Sequence, residues 1–429
     1  MNTILVDKCY IDSLSNIERK KYLQKVKLVK LLHSEGAKSN ADICRVLNIS
    51  SPTSIILLNE LIAEDLIEKK GKGKSFGGRK PELYSLRNQS FFVLCIEIGR
   101  FRTEMAIIDN NNNNISGVKS FPFKLSKDKS VVQKLYDFAD DLISSSGINT
   151  NKLIGIGIGM PGLVDSNTGK NYSYVLTTGD SMTLQDILEE KFKKPVFIQN
   201  DVKTNALAES RFGLAKDKKD ALVLLMDWGI GLGIIMDGKL QSGMSGFAGE
   251  IGHIPFVKDG DLCHCGKKGC LETVASGIAL ARMAKEGIKS GQTSLLNSLS
   301  EEEIDQIEPH IVIEAANKGD QYAINILSQV GENLGKAMAI VIQLFNPEII
   351  VLGGKIAEAK QYITIPMRHA INTYCMSRVR ESTKISLSNL GHNAGLLGSA
   401  STVLENIFDR QIELADQRST VTETYSKAS

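Results

Sequence analysis

Hydrophobic residues recur with the spacing of an α-helix three times near the start of the chain. The first pattern covers Ile17–Ser34 and the second covers Asn40–Leu47. The third follows the turn at 48–50, where we expect Ser51 to cap a helix whose first position is Pro52. A helix, a short helix, a tight turn and a further helix form a helix-turn-helix unit. The pattern therefore predicts such a unit here.

A glycine-rich basic segment lies between two short strand patterns after these helices. Asp65–Glu68 begins the first predicted strand, and Glu82–Leu86 forms its partner. The residues from Lys69 to Pro81 include six basic side chains and no acidic one. A flexible basic hairpin beside a helix-turn-helix is typical of a wing that follows DNA phosphates or enters the minor groove. A solvated surface loop is the alternative, and the combination with the helices favours DNA binding.

From about residue 91 the pattern indicates alternating strands and helices. The predicted strands are Phe91–Ile98, Thr103–Ile108, Ile115–Phe121, Leu153–Gly159, Pro195–Gln199, Ala221–Met226, Gly231–Met236, Lys239–Leu240 and Glu348–Leu352. The predicted helices between them include Val131–Ser145 and Leu184–Phe192. A strand meander followed by alternating elements, occurring twice, predicts two related α/β lobes that face a cleft. We expect a winged helix-turn-helix head, dominated by helices, over 1–88, an α/β body over 89–408 and a polar tail over 409–429.

Composition and charge add a contrast between the head and the rest of the chain. With 429 residues, 42% of them hydrophobic and 23% charged, the sequence is typical of a globular protein of several domains. No apolar run reaches the roughly 18 residues of a membrane helix, and residues 1–15 lack the apolar core of a signal peptide. Residues 1–88 contain 16 Lys and Arg against 10 Asp and Glu, whereas the remainder contains 35 against 39. We therefore expect a cytoplasmic protein whose head binds a polyanion.

Three of the seven cysteines lie close together and indicate a metal site. Cys263, Cys265 and Cys270 follow His253 by a short loop. Three thiolates and one imidazole form a typical tetrahedral zinc set, and glycines beside them allow the tight turn that such a set needs. Reduced cysteines without a metal are the alternative. His264 competes with His253, but neighbouring side chains usually diverge, so we predict a structural Zn²⁺ on His253 and the three cysteines.

Two carboxylates flank the predicted zinc ligands. Glu250 precedes His253 by three residues, and Glu272 follows Cys270 by two. The metal would hold the intervening loop so that Glu250, His253 and Glu272 face one place. Carboxylates and an imidazole suit the adjacent hydroxyl groups of a sugar, because each acceptor takes one directed hydrogen bond.

At these residues the chain resembles the ROK family (repressors, open reading frames and sugar kinases). The segments that carry the resemblance occur in the family's order: Pro161–Asp165, Asn200–Glu209, Gly249–His253, the cysteine cluster, and Asn346–Gly354. The resemblance covers residues from about 91 to 405 and implies the two-lobed, actin-like (ribonuclease H-like) fold of sugar kinases. It also implies that a sugar is contacted by Asn200, Asp201, Glu250, His253 and Glu272. In a kinase member Asp201 would be the catalytic base.

The sequence departs from the family's kinases at both phosphate loops. Where those kinases carry Asp-x-Gly-Gly-Thr, this chain has Glu97–Phe101, with Arg100 and Phe101 at positions that suit a glycine and a hydroxyl. The second loop, Gly-Thr-Gly-x-Gly in kinases, reads Asp227–Gly231 here. Backbone amides hold phosphates only where side chains leave room. The chain is therefore predicted not to be an enzyme, and to resemble the N-acetylglucosamine and xylose repressors of the family.

The third helix of the head carries unusual residues for DNA recognition. We expect Ser51, Thr53 and Ser54 to reach base edges, while Lys72, Lys74, Arg79 and Lys80 of the wing contact phosphates. Ile55 and Ile56 stand where the family more often has polar or basic residues. They either contact thymine methyl groups or belong to the core of a slightly rotated helix.

These observations lead to one main hypothesis and two alternatives. The main hypothesis is a bacterial, nucleoid-associated repressor that binds a double-stranded operator as a homodimer or a dimer of dimers and responds to a sugar or sugar phosphate. The first alternative is an active ATP-dependent hexose or N-acetylhexosamine kinase with a DNA-binding head. The second is a body that docks a transport protein and carries a vestigial sugar pocket.

Overall fold

The computed structural model describes residues 6–73, 80–123, 130–174 and 182–416. The chain divides into two compact units. The first comprises Met1–Ile158, Tyr174–Ile198 and Ser399–Ser429, and the second comprises Gly159–Ser173 and Gln199–Gly398. The predicted head and the first α/β sheet therefore fall in one compact unit, although the sequence assigned them to separate domains. In the described parts of the chain, none of the helices taken alone has the length and apolar composition of a membrane span. The bent pair Asn40–Leu47 and Ser51–Ala63 reaches that length and composition when its two helices are taken together.

The head contains helices at the three places where a helix-turn-helix was predicted. Its elements are α1 (Lys8–Ser13), α2 (Asn16–Glu35), β1 (Lys38–Ser39), α3 (Asn40–Leu47), α4 (Ser51–Ala63), β2 (Ile67–Lys72) and β3 (Glu82–Leu86). The axes of α3 and α4 turn by 111° at the break between them, within the range of a helix-turn-helix. Ser50, and not Ser51, caps α4: Ser50 is extended and its hydroxyl accepts from the Thr53 N–H at 3.3 Å. The prediction of the cap was wrong by one residue because Ser51 already has helical geometry.

The first α/β sheet has five strands in the order β10-β7-β4-β5-β6. Its strands are β4 (Phe92–Ile98), β5 (Arg102–Asp109), β6 (Lys119–Pro122), β7 (Leu153–Met160) and β10 (Val196–Asn200), with α5 (Ser130–Ser145) and α6 (Leu184–Phe192) between them in the chain. β4, β5 and β6 form an antiparallel meander. β6 begins later than predicted, after Gly117 has taken a φ of +70° that a regular strand does not accommodate.

The second unit contains another five-stranded sheet, in the order β13-β12-β11-β14-β15, and a small pair of β8 (Val164–Asp165) and β9 (Lys170–Asn171). The large sheet is formed by β11 (Ala221–Met226), β12 (Ile230–Met236), β13 (Lys239–Leu240), β14 (Ile349–Gly353) and β15 (Lys384–Leu387). Its helices are α7 (Asp201–Phe212), α8 (Glu272–Ala275), α9 (Gly277–Lys289), α10 (Glu301–Asp305), α11 (Pro309–Asn317), α12 (Gln321–Phe345), α13 (Gln361–Tyr374) and α14 (Ser377–Arg380). Strands β11 and β12 are antiparallel, and β11 and β14 are parallel. The prediction of two α/β lobes behind a mainly helical head is confirmed.

The last helix, α15 (Ala394–Asp416), extends into the segment predicted as a polar tail. Residues 409–416 are helical and contact the head, so this part of the prediction was wrong. The Arg19 guanidinium donates to the carbonyl of Ala415 at 2.7 Å, and the Tyr22 hydroxyl donates to Gln411 Oε1 at 2.6 Å. Gln411 is buried despite its polar side chain, because it has this partner. Residues 417–429 of the predicted tail lie outside the described residues.

A buried asparagine, Asn110, binds the link between β3 and β4. The Asn110 side chain accepts from the Ser90 N–H at 2.9 Å and donates to the Arg87 carbonyl at 2.9 Å. Both partners lie in the connection that leaves the head, whereas Asn110 follows β5. α15 therefore contacts the head, and the turn after β5 contacts the connection that leaves it.

Candidate effector site, metal site and DNA-contact face

The predicted metal ligands lie together in the second unit. One ligand atom from each of His253, Cys263, Cys265 and Cys270 lies within 4.8 Å of the other three. Cys263 Sγ is 3.6 Å from His253 Nδ1, and Cys265 Sγ is 3.6 Å from Cys270 Sγ. A tetrahedral Zn²⁺ with Zn–S bonds of about 2.3 Å and Zn–N bonds of about 2.05 Å separates its ligand atoms by roughly 3.6 to 3.8 Å. The four side chains therefore fit a four-coordinate zinc ion.

Burial favours the uncharged form of three of these four side chains. Burial raises the pKa of Cys263 and of Cys270, to about 12 for Cys270, and burial lowers the pKa of His253. Histidine ligates a metal as the neutral imidazole, and thiols ligate it as thiolates, which a divalent cation stabilises. The group thus provides one neutral nitrogen and three sulfurs that a cation would deprotonate.

The backbone around the cysteines turns tightly to bring the sulfurs together. The N–H of Cys263 donates to the Lys267 carbonyl at 2.8 Å, and the N–H of Gly266 donates back to the Cys263 carbonyl at 2.9 Å. Gly269 has a φ of +70°, and a Cβ there would stand 1.8 Å from the Val257 carbonyl oxygen. Only glycine satisfies both conditions, so the position is required by the turn.

His264 lies beside this group and pairs with a carboxylate. Its Nδ1 is 3.1 Å from Glu272 Oε1 and 3.9 Å from Cys263 Sγ. The other Glu272 oxygen accepts from the Ile230 N–H at 3.2 Å. Glu272 is buried at the start of α8, and a second possible ligand group joins it to His253 and His264. The carboxylate of Glu272 is consequently fixed by the same loop that holds the cysteines.

Asp201 and Glu250 form the acidic part of the candidate sugar site. Asp201 is the first residue of α7 and is half-buried; loss of solvent raises its pKa to about 6, and the carboxylates of Asp227 and Glu250 act in the same direction. The N–H of Val202 donates to Asp201 Oδ1 at 2.9 Å and opposes that shift. Burial raises the pKa of Glu250, an effect that Glu272 increases and Lys203 reduces. These carboxylates are thus close enough to influence one another.

Asn200 has structural partners for both ends of its side chain. Its Oδ1 accepts from the N–H groups of Val202 and Lys203, at 3.0 and 3.4 Å, and caps α7. Its Nδ2 donates to the Gly162 carbonyl at 3.0 Å. The residue therefore orients the first turn of α7, on which Asp201 lies, and any sugar contact must use its remaining N–H.

Lys203 is a functional candidate that the sequence reasoning missed. Its side chain is buried, with 3% of the residue exposed, and its ammonium donates to the Gly246 carbonyl. Burial lowers the pKa of Lys203, while Glu250 and Asp201 favour its charged form. A lysine inside the segment 200–209 was the available signal, because lysine is seldom buried without a charged partner. Lys203 therefore places one positively charged group near the carboxylates of Glu250 and Asp201.

The two segments that correspond to kinase phosphate loops lie one in each compact unit, and both contain bulky or charged side chains. In the β4–β5 turn of the first unit, the Arg100 guanidinium lies 5.4 Å from the centre of the Phe101 ring, a distance typical of a cation–π contact. In the second unit, Asp227 Oδ1 accepts from the N–H of Trp228 at 2.9 Å. Burial raises the pKa of Asp227, and Lys355 opposes this. A carboxylate therefore engages a backbone N–H at the position where a kinase loop would offer amides to phosphate.

The predicted DNA-contact residues differ in exposure. Ser51 is exposed, and Thr53 is half-buried with its hydroxyl 2.7 Å from that of Ser50. Ser54 is 0% exposed, so the prediction that it reaches base edges was wrong: the helix buries this position against the head. Ile55 and Ile56 are 45% and 55% exposed, which excludes the alternative that they are core residues. Lys72 and Lys80 are exposed, and Lys74 and Arg79 lie outside the described residues.

The chain is similar to both regulators and kinases. The family model described as "ROK family" matches residues 93–406. The DNA-binding transcriptional dual regulator NagC of Escherichia coli is 29% identical over 383 residues, which cover 89% of this chain and 93% of that protein. A glucokinase of Halalkalibacterium halodurans is 34% identical over 269 residues, covering 62% of this chain and 81% of the kinase.

A solved structure extends this similarity to the whole fold. The crystal structure of a ROK family transcriptional regulator, a homologue of the E. coli MLC protein, matches 94% of this chain and 99% of its own with a TM-score of 0.75 and 26% identity. The regulators thus match the chain with its head, whereas the glucokinase matches a shorter part. By the family match over most of its length, with the fold and the ordered segments described above, the chain belongs to the ROK family.

Proposed function

We propose that this protein is a sugar-responsive, DNA-binding transcriptional repressor. The observation that carries the proposal is a helical head, in which α3 and α4 turn by 111°, joined to a ROK body in one chain. A DNA-binding head would serve no step of sugar phosphorylation. Similarity to a regulator over 89% of the chain supports it. The protein would act in the bacterial cytoplasm on a double-stranded operator, as a homodimer or a dimer of dimers, since two heads read two half-sites.

The effector in this proposal is a sugar or sugar phosphate held by the residues around Asp201 and Glu250. Ionised carboxylates accept hydrogen bonds from hydroxyl groups and bind them more strongly than neutral acceptors do. His253 and Glu272 supply two further groups from the loop that carries the cysteines. Effector binding would change the affinity for the operator by favouring one conformation of the protein.

The proposed zinc ion has a structural role. All four positions of a tetrahedral ion would be filled by His253, Cys263, Cys265 and Cys270, so none is left for a reacting water. When bound, the ion supplies a cross-link within the segment 253–270. The side chains of Glu250 and Glu272 lie on either side of this segment, and their positions would depend on it.

Thermal-shift measurements with a panel of sugars and sugar phosphates test the proposal directly. A sugar present at about 100 times its Kd stabilises the protein by about 2.7 kcal/mol, which is readily detected. The same sugar must then change the affinity of the full chain for a selected operator fragment. No selective DNA binding, or no effect of any stabilising sugar on it, contradicts the proposal.

A second candidate is an ATP-dependent sugar kinase, favoured by Asp201. Its pKa of about 6 suits a general base near neutral pH, and a glucokinase is among the relatives. The side chains in both phosphate-loop segments oppose this candidate. Sugar-dependent release of ADP that disappears in Asp201→Asn would establish it, and its absence with every stabilising sugar would remove it.

A further inference from the structure

The outward face of α4 is uncharged and partly apolar. Ile55 and Ile56 are about half-exposed, and Asn59 is exposed one turn later on the same helix. Two adjacent isoleucines that are about half-exposed leave apolar surface in contact with water, which is unfavourable. The sequence of α4, Ser51–Ala63, also contains no lysine or arginine. Its outward face therefore lacks the cationic side chains that DNA-reading helices commonly use.

Glu60 of α4 and Glu64, directly after the helix, are neutralised by lysines of α2, so they do not repel DNA. Lys25 Nζ lies 2.8 Å from Glu60 Oε2 and 2.7 Å from Glu64 Oε1, and Lys21 also pairs with Glu60. The charge that would attract DNA lies instead on the wing, where Lys72 and Lys80 are exposed. Attraction to phosphates and contact with bases are consequently assigned to different elements of the head.

We propose that Ile55 and Ile56 contact thymine methyl groups, and that each operator half-site presents A·T pairs to α4. This inference rests on the proposed DNA-binding function. In the major groove only thymine offers a methyl group, and apolar side chains recognise it. Guanine is most often recognised by arginine or lysine, which α4 lacks. Asn59 is suited to adenine, whose N6 and N7 pair with a side-chain amide. The face of α4 thus matches A·T pairs and offers nothing specific to G·C pairs.

The experiment compares thymine with uracil, which lacks the methyl group and keeps the same base pairing. Operator fragments are first selected from random double-stranded DNA with the full chain. Binding is then measured with thymine or uracil at the positions that the selection identifies. Each lost methyl contact is expected to weaken binding by roughly fourfold. In the double variant Ile55→Ala, Ile56→Ala the ratio of the two Kd values should fall to about one.

Ile17→Ala is the matched control, because Ile17 is an isoleucine of α2 that is 83% exposed. This variant should keep the thymine-to-uracil ratio of the unmodified protein. Equal binding to thymine and uracil by the unmodified protein would overturn the inference while leaving DNA binding intact. Selection of half-sites rich in G·C pairs would overturn it as well. Absence of any selective DNA binding would overturn both this inference and the proposed function.

Discussion

The candidate sugar site of the body places polar side chains out of full contact with water, whereas the outward face of α4 in the head exposes apolar ones to it. Both environments are unfavourable for the side chains concerned. The body holds a buried lysine beside half-buried carboxylates, and the partial loss of solvent raises the pKa of Asp201 and of Glu250. The head exposes two isoleucines to water. Neither arrangement stabilises the isolated protein.

The difference between these regions indicates what each one binds. Half-buried carboxylates gain hydrogen bonds when hydroxyl groups arrive, so the body suits a small polar ligand. Exposed isoleucines gain only when water is displaced, so α4 suits a large surface with apolar groups. The environment of a side chain is thus more informative than its type, and four substitutions test this contrast.

The largest effect is expected at the proposed metal site, where a bound ion would hold the loop beside the candidate sugar site. Cys265 and Cys9 are both exposed, so replacing either by serine would ordinarily change stability by less than about 0.5 kcal/mol. If Cys265 ligates zinc, Cys265→Ser should lower the free energy of unfolding by about 3–5 kcal/mol, whereas Cys9→Ser should not. Urea denaturation with zinc present measures both. Equal, small changes would contradict a metal site.

The next effect concerns the pH dependence of stability at Asp201. Its pKa is about 6 in the folded protein against an ordinary 3.8, so the folded state holds the proton more tightly. The free energy of unfolding should therefore fall as pH rises from about 4 to about 6, by at most about 3 kcal/mol for this group, and should not change further above that window. In Asp201→Asn this contribution disappears.

The matched control for this titration is Asp217→Asn, at an exposed aspartate of the same unit. Unfolding curves at several pH values give the slope for the unmodified protein and for both variants. The Asp217 variant should retain the slope of the unmodified protein. An unchanged slope in Asp201→Asn would show that Asp201 is not protonated in this range.

A smaller effect separates ligand binding in the body from DNA binding in the head. Glu250→Gln keeps the shape of the side chain but removes the charge, so the Kd for the effector sugar should rise roughly 10- to 150-fold. Binding of the operator without sugar should remain within about twofold. Calorimetry and an operator-binding assay measure the two quantities, with the exposed Glu314→Gln as control. Loss of operator binding alone would reverse the assignment of the two regions.

The smallest effect tests how firmly the head is attached to the body. Tyr22→Phe removes the buried hydrogen bond to Gln411, which should lower the free energy of unfolding by about 1 kcal/mol. Tyr10→Phe, at a residue that is 40% exposed, should change it by a few tenths of a kcal/mol at most. Denaturation curves followed by far-UV circular dichroism compare them. Identical curves would mean that the contact does not contribute to stability.

The sequence was sufficient where local spacing determines the structure. The strand Ala221–Met226 and the helix Asn40–Leu47 match their predicted bounds, because each is a short apolar or amphipathic run between clear breaks. The closeness of Cys263, Cys265 and Cys270 was predicted for the same reason, since a tight glycine turn leaves few ways to arrange their sulfurs. Such features depend on residues that are near each other in the chain.

The sequence was insufficient where tertiary packing decides. Ser54 and Ile55 are neighbours on α4, and the rotation of the helix against the head determines which one is buried. The burial of Lys203 could not be predicted, because its partner, the Gly246 carbonyl, lies 43 residues further along the chain. The helical character of 409–416 depends on contacts with Arg19 and Tyr22. A polar segment without those partners would not be expected to fold.

The contact between α2 and α15 also has a consequence for synthesis of the protein. Arg19 and its partner Ala415 are 396 residues apart in the chain, and Tyr22 and Gln411 are 389 residues apart. A nascent head emerging from the ribosome cannot complete this packing until α15 has been translated. We therefore expect chains that stop before α15 to have incompletely assembled heads, which would limit the ability of aborted translation products to compete for operators.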